Sequence, residues 1–93
     1  MDQYISASGL TGDYAIGNGQ YTWDETNGKY TNINGCEIRH DIIAVLWNSW
    51  NMYVPALVIL NGPIAPAPRV PSCIGSYMNE TPQGTQKAIT VVG

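Results

Sequence analysis

Phenylalanine is missing from the 93-residue chain, and charge is scarce: 12% of residues are Asp, Glu, Lys or Arg, half the usual share of about 25%. Only Lys29, Arg39, Arg69 and Lys87 are basic, spread thinly against seven acids, for a net charge of -3 and a pI near 4.6. Such a chain offers no basic stripe, so nucleic acid is excluded as a partner. A basic n-region and a long apolar h-region are both lacking at Met1-Asp2-Gln3-Tyr4, so no secretory signal is expected. Long helical periodicity is lacking too. Disorder is excluded in the other direction, because disordered chains are charge-rich and poor in aromatics, whereas this one has three Trp and six Tyr.

Catalytic vocabulary is equally thin. His40 is the only histidine. It stands next to Asp41, but on a strand neighbouring side chains point to opposite faces, so Asp41 is poorly placed to orient it as a general base. The adjacent acids Asp24-Glu25 precede an Asn-Gly turn and are expected in solvent rather than flanking a glycosidic bond. No serine lies in a Gly-x-Ser-x-Gly elbow, and no glycine-rich loop opens a helix to cradle phosphate. Cys36 and Cys73 are the only cysteines, and no second Cys or His lies near either at ligand spacing. They form either one long-range disulfide or two buried free thiols. Asn79-Glu80-Thr81 matches a glycosylation acceptor, but Pro82 follows and an ordinary loop is expected. The chain is expected to be no enzyme, with no metal and no cofactor.

What is present is β-structure. Asn-Gly dipeptides stand at 18–19, 27–28, 34–35 and 61–62, and both residues tolerate the positive φ of tight hairpin turns. Between them, Gln20-Tyr21-Thr22-Trp23-Asp24 and Cys36-Glu37-Ile38-Arg39-His40 alternate apolar and polar, with Lys29-Tyr30-Thr31 returning between the two. From Ile42 to Pro68 no residue is charged, yet Asn48, Ser49, Asn51 and Pro55 interrupt the run and no Lys or Arg anchors its ends. A membrane span is therefore set aside in favour of buried strands with a turn at Asn48-Ser49, Trp47 in the core and Trp50 more open. Pro63, Pro66, Pro68 and Pro71 favour extended geometry without full sheet pairing. Ala88-Ile89-Thr90-Val91-Val92 is strongly β-prone and must pair within the fold or with a neighbour.

The expected fold is all-β: one domain over 1–93, a small antiparallel sandwich or barrel. It comprises a meander over 5–62, a Pro-rich extended connector over 63–71, and a C-terminal strand or arm over 72–93.

Gly17-Asn18-Gly19-Gln20-Tyr21-Thr22 followed by Asn27-Gly28-Lys29-Tyr30-Thr31, then Ile43, Trp47 and Trp50, then Gly62 and Pro66-Ala67-Pro68-Arg69-Val70, resembles a small β module of viral structural, fibre-like and bacterial surface proteins. The resemblance covers roughly residues 5–70. It departs from the module at Ser6-Ala7-Ser8-Gly9, where a Gly-x-Gly is usual, and the tail from Pro71 has no counterpart in it. It implies a non-enzymatic part of a virion or surface assembly. A single module starting at Met1 suits a capsid decoration (cement) protein of a tailed bacteriophage, made in the host cytoplasm and added to the capsid exterior. Its expected partners are the major capsid protein and copies of itself, in a trimer. Tyr4, Ile5, Ile89 and Val91 in the terminal segments Met1–Ile5 and Lys87–Gly93 would add strands to neighbours. The alternative is a receptor- or glycan-binding module of a tail fibre, with Trp50 and Tyr53 as an exposed sugar platform.

Overall fold

The computed structural model describes residues 2–92. Eight strands follow one another: β1 (Tyr4–Ser8), β2 (Gly19–Asp24), β3 (Lys29–Thr31), β4 (Glu37–Ala44), β5 (Trp47–Val54), β6 (Val58–Pro66), β7 (Gly75–Thr81) and β8 (Gly84–Val92). Each pairs antiparallel with the next, and β8 returns to β1, so the sheet closes into a barrel in chain order. The register of closure is Ile5↔Val92, Ser6↔Val91, Ala7↔Thr90 and Ser8↔Ile89. The all-β expectation therefore resolves into the barrel rather than the sandwich. One short 3₁₀ turn over Gly12–Gly17 was not foreseen; it packs against β5 and carries buried Leu10 and Tyr14 with it to cover one end.

Alternation builds the interior. Ile5, Tyr21, Tyr30, Ile38, Met52, Leu60 and Tyr77 are fully enclosed, with Ala7, Trp50, Val54 and Ala88 around them. In the absence of phenylalanine, tyrosine supplies the bulk, and each buried hydroxyl then needs an acceptor. Tyr21 donates to Gly17 O at 2.6 Å, Tyr30 to Asp2 O at 2.6 Å and Tyr77 to Cys73 O at 2.5 Å. All three hydroxyls thus lock an irregular segment onto the sheet.

Several local expectations are corrected. Asn18 makes no hairpin turn; its amide braces the loop by accepting from Leu10 N and donating to Leu10 O. Asn48-Ser49 lies inside β5, and the turn falls on Val45-Leu46 instead. The two polar side chains are buried with partners: Asn48 Nδ2 donates to Arg69 O at 3.2 Å, and Ser49 Oγ accepts from Asn51 Nδ2 at 3.0 Å. Residues 63–66, read as part of a connector, complete β6 through Ser49↔Ile64, Asn48↔Ala65 and Trp47↔Pro66. The prolines are tolerated because the other side of β6 is nearly unpaired, meeting β7 in register only at Asn61↔Met78. Asn61-Gly62 is likewise no turn but part of a bulge, where the pairing steps from Ser49↔Ile64 to Asn51↔Asn61.

Cys36 and Cys73 are two buried free thiols, so the disulfide alternative falls. They occupy separate settings: Cys36 Sγ donates to Ile16 O at 3.4 Å beside Tyr21, whereas Cys73 lies beside Tyr30.

Two predictions follow from this interior. A Cβ at Gly62 would meet the Tyr77 ring at 2.3 Å and Trp50 O at 2.5 Å, so the ring occupies the space of the missing side chain. Gly62→Ala is expected to destabilise by about 1–3 kcal/mol or more in urea titration, where an exposed glycine such as Gly28 tests mainly backbone conformation. Burial also pushes the hydroxyls of Tyr21, Tyr30 and Tyr77 and the thiols of Cys36 and Cys73 above their ordinary ranges. Raised values mean that the folded chain keeps protons the unfolded chain releases. Stability is therefore full below about pH 8.5, where free thiols begin to ionise, and falls as the pH rises past about 10. Denaturant midpoints measured from pH 7 to 11 check the sign.

Candidate functional site

Strands β4, β5 and β6 are 8, 8 and 9 residues long, and the end around the β4–β5 turn is apolar on the outside. Val45 at the turn is 90% exposed, Ile42 73%, Leu46 68% and Trp47 43%. Ile43, Ile64 and Val70 add further open apolar surface in the same strands and the following segment. Local sequence could not place this turn, because Val-Leu carries no turn chemistry and the run reads as uninterrupted core. The β4–β5 register decides it, since Ile38↔Met52 and His40↔Trp50 set Trp50 and Met52 inward and leave Val45-Leu46 at the apex.

Beneath the apex, the outer face of the same strands is polar and half closed. Asp41 Oδ2 accepts from Asn51 Nδ2 at 2.9 Å and from the Tyr53 hydroxyl. The Arg39 guanidinium covers the Tyr53 ring, 3.6 Å from its centroid, with Arg39 Nε 3.6 Å from Glu37 Oε1. Lys29 donates to Glu37 from the next strand. Burial, then Asp41, holds the Tyr53 hydroxyl above its ordinary range. Above this network a recess of ≈ 370 Å³ opens between Ile43, Ser49, Asn51, Asn61, Gly62 and Ile64. Neither the recess nor the apex was found from the sequence; the one signal was the three polar residues Asn48, Ser49 and Asn51 inside an apolar run.

The contact residues singled out from sequence fall in two places, the paired strands β1 and β8 and the strand β5. Tyr4 is exposed on β1, and Ile89 and Val91 are exposed on β8, but Ile5 is fully enclosed in the core. The strands carrying all four are paired to each other and to β2 and β7, so none of Tyr4–Ser8 or Gly84–Val92 is a free arm. Met1 and Gly93 lie outside the described residues. The expected exposures of the tryptophans are inverted: Trp50 is 3% exposed, donating Nε1 to Pro71 O at 2.7 Å, whereas Trp47 is open at the apex. Tyr53 is half-buried, with its ring covered by Arg39. Trp50 and Tyr53 thus form no open platform.

His40 faces inward opposite Trp50, ring centroids 5.5 Å apart, while Asp41 faces outward opposite Ser49. Among the described residues no three His, Cys, Asp or Glu side chains cluster as a metal site would require, and no helix is long and apolar enough to cross a membrane.

No family model, no curated protein and no solved structure matches this chain.

Fluorescence separates the two tryptophan environments. Trp50→Phe should cost about 1–3 kcal/mol, by leaving Pro71 O without its donor, and should remove the emission least accessible to acrylamide. Trp47→Phe should change stability by about 0.5 kcal/mol or less and remove the most quenchable emission.

Proposed function

We propose that this protein is a virion structural subunit, a decoration protein that coats the exterior of a tailed-bacteriophage shell and docks on the major capsid protein through the apex of β4–β5. The observation that carries this reading is the exposed cluster Ile42, Val45, Leu46 and Trp47 on a projecting hairpin, since apolar surface gathered in one place marks a protein-contact site. Low charge supports it, because an apex without Lys, Arg, Asp or Glu has no ionic desolvation to overcome. Pairing of β1 with β8 supports side-chain docking rather than strand addition by the termini, because those two strands already have partners. Copies grouped as trimers at three-fold positions would gain from repetition, many weak apolar contacts adding up over the shell. Resemblance to a viral structural module points the same way.

Quantitative mass spectrometry of particles of the virus that carries this sequence provides the test, joined to one variant. Copies in the hundreds per particle, in simple ratio to the shell subunit, are expected, and the double substitution Val45→Ser with Leu46→Ser should abolish co-sedimentation with shells while leaving the thermal midpoint nearly unchanged. Absence from the particles, or full attachment of the folded double variant, would overturn the reading.

A further inference from the structure

The recess on β4–β6 contains one group whose chemistry is incomplete. Asn51 is 5% exposed, and its Nδ2 is pinned by Asp41 Oδ2 at 2.9 Å and Ser49 Oγ at 3.0 Å. That pinning fixes the amide orientation, because turning it over would set Oδ1 against the Asp41 carboxylate. Asn51 Oδ1 is then left buried without any donor among the described residues. An unpaired buried carbonyl is unfavourable, and this one is a stronger acceptor than usual because its own amide donates to a carboxylate.

We propose that the recess is a binding site for an extended, uncharged apolar peptide segment, which seats an aliphatic side chain between Ile43 and Ile64 and donates a backbone N–H to Asn51 Oδ1. Three observations select that ligand class. Ile43 and Ile64, both exposed, supply aliphatic walls to a recess of ≈ 370 Å³, within the size range of small-ligand sites, roughly 300–1,000 Å³. The charges on this face cancel, Lys29 and Arg39 against Glu37 and Asp41, so a neutral donor is favoured over a cation. No aromatic ring lines the recess for stacking on a sugar: Trp50 is in the core, the Tyr53 ring lies under Arg39, and exposed Trp47 stands at the apex outside the lining. The oxygen is shielded from solvent in the empty recess, so the incoming N–H must turn a rim side chain aside. Asn61 is exposed in the lining of the recess. Identifying the segment with one on the shell subunit rests on the docking role proposed above; the recess shares Ile43 with the apex strand.

The test is a ¹⁵N–¹H titration of the full chain with N-acetyl-leucine N-methylamide, with its fully N-methylated counterpart, which has a similar apolar body and no donor, and with methyl glucoside. The expected result is saturable shifts at the Asn51 side-chain amide and at the Ser49, Asn61 and Gly62 backbone amides, with a dissociation constant on the order of millimolar. The donor-free probe should bind about tenfold more weakly, the worth of one hydrogen bond. Equal binding of the two peptides, preference for the glucoside, or no shifts up to the solubility limit would overturn the assignment; in the last case the oxygen's donor is a bound water. Asn51→Leu should abolish the donor preference, and Ile64→Glu, an exposed rim change that leaves the Asn51 network intact, should block binding even if Asn51→Leu does not fold. The Val45→Ser, Leu46→Ser variant keeps the recess and should still bind the probe. If the probe fails while the apex still governs shell attachment, only the recess assignment falls. Probe binding with normal attachment of the apex variant leaves the recess and removes the docking role.

Discussion

Pairing of β1 with β8 is the interaction on which the rest of the barrel depends. It joins Ile5 to Val92, nearly the full length of the described chain, so it closes the largest loop available and carries its entropy. It also satisfies the edge hydrogen bonds of the most β-prone segment, Ala88–Val92, which would otherwise be a template for aggregation. Once those edges are consumed, the terminal strands can no longer reach into a neighbour. Any contact these two strands make with other molecules must then be through side chains, and elsewhere the exposed apolar residues Ile42, Val45, Leu46 and Trp47 gather around the β4–β5 turn.

The second constraint is an interior assembled without phenylalanine. The buried tyrosines Tyr21, Tyr30 and Tyr77 each deliver a hydroxyl to the interior, and the fold meets that demand with carbonyls from irregular segments: Asp2 before β1, Gly17 in the 3₁₀ turn and Cys73 between β6 and β7. The loops that close the barrel are therefore held by the core from within. The 67–74 segment is held further by Asn48 on Arg69 O, Trp50 on Pro71 O and Thr90 on Cys73 O. Asn48 of β5, which looks like a turn former in the sequence, helps to fasten this segment down.

Strand identity was legible wherever alternation was clean. The alternating runs around Tyr21 and Ile38 are both strands, and the two residues lie fully buried. Legibility failed where residue chemistry served long-range partners rather than local conformation. Asn48-Ser49 and Asn61-Gly62 carry turn signatures, yet Asn48 is satisfied by Arg69 O beyond β6 and Gly62 makes room for the Tyr77 ring, contacts between positions far apart in sequence. The continuous apolar run from Ile42 hid the apex for a related reason: without alternation, nothing local separates a strand inside the barrel from one projecting beyond it. The outer network of Arg39, Asp41, Asn51 and Tyr53 could not be seen before the register was known, because it joins every second residue of two strands.

The antiparallel closure has a further topological consequence. With Ile5 opposite Val92, the two ends of the described chain leave the barrel side by side. The chain is therefore close to a ring, and its order of strands is almost independent of where that ring is cut. A short bridge between the ends with a new opening in the exposed Glu25–Gly28 turn would preserve every strand neighbour, and the barrel could equally be spliced into a surface loop of a host protein, held at both sides like a bead on a single short stalk.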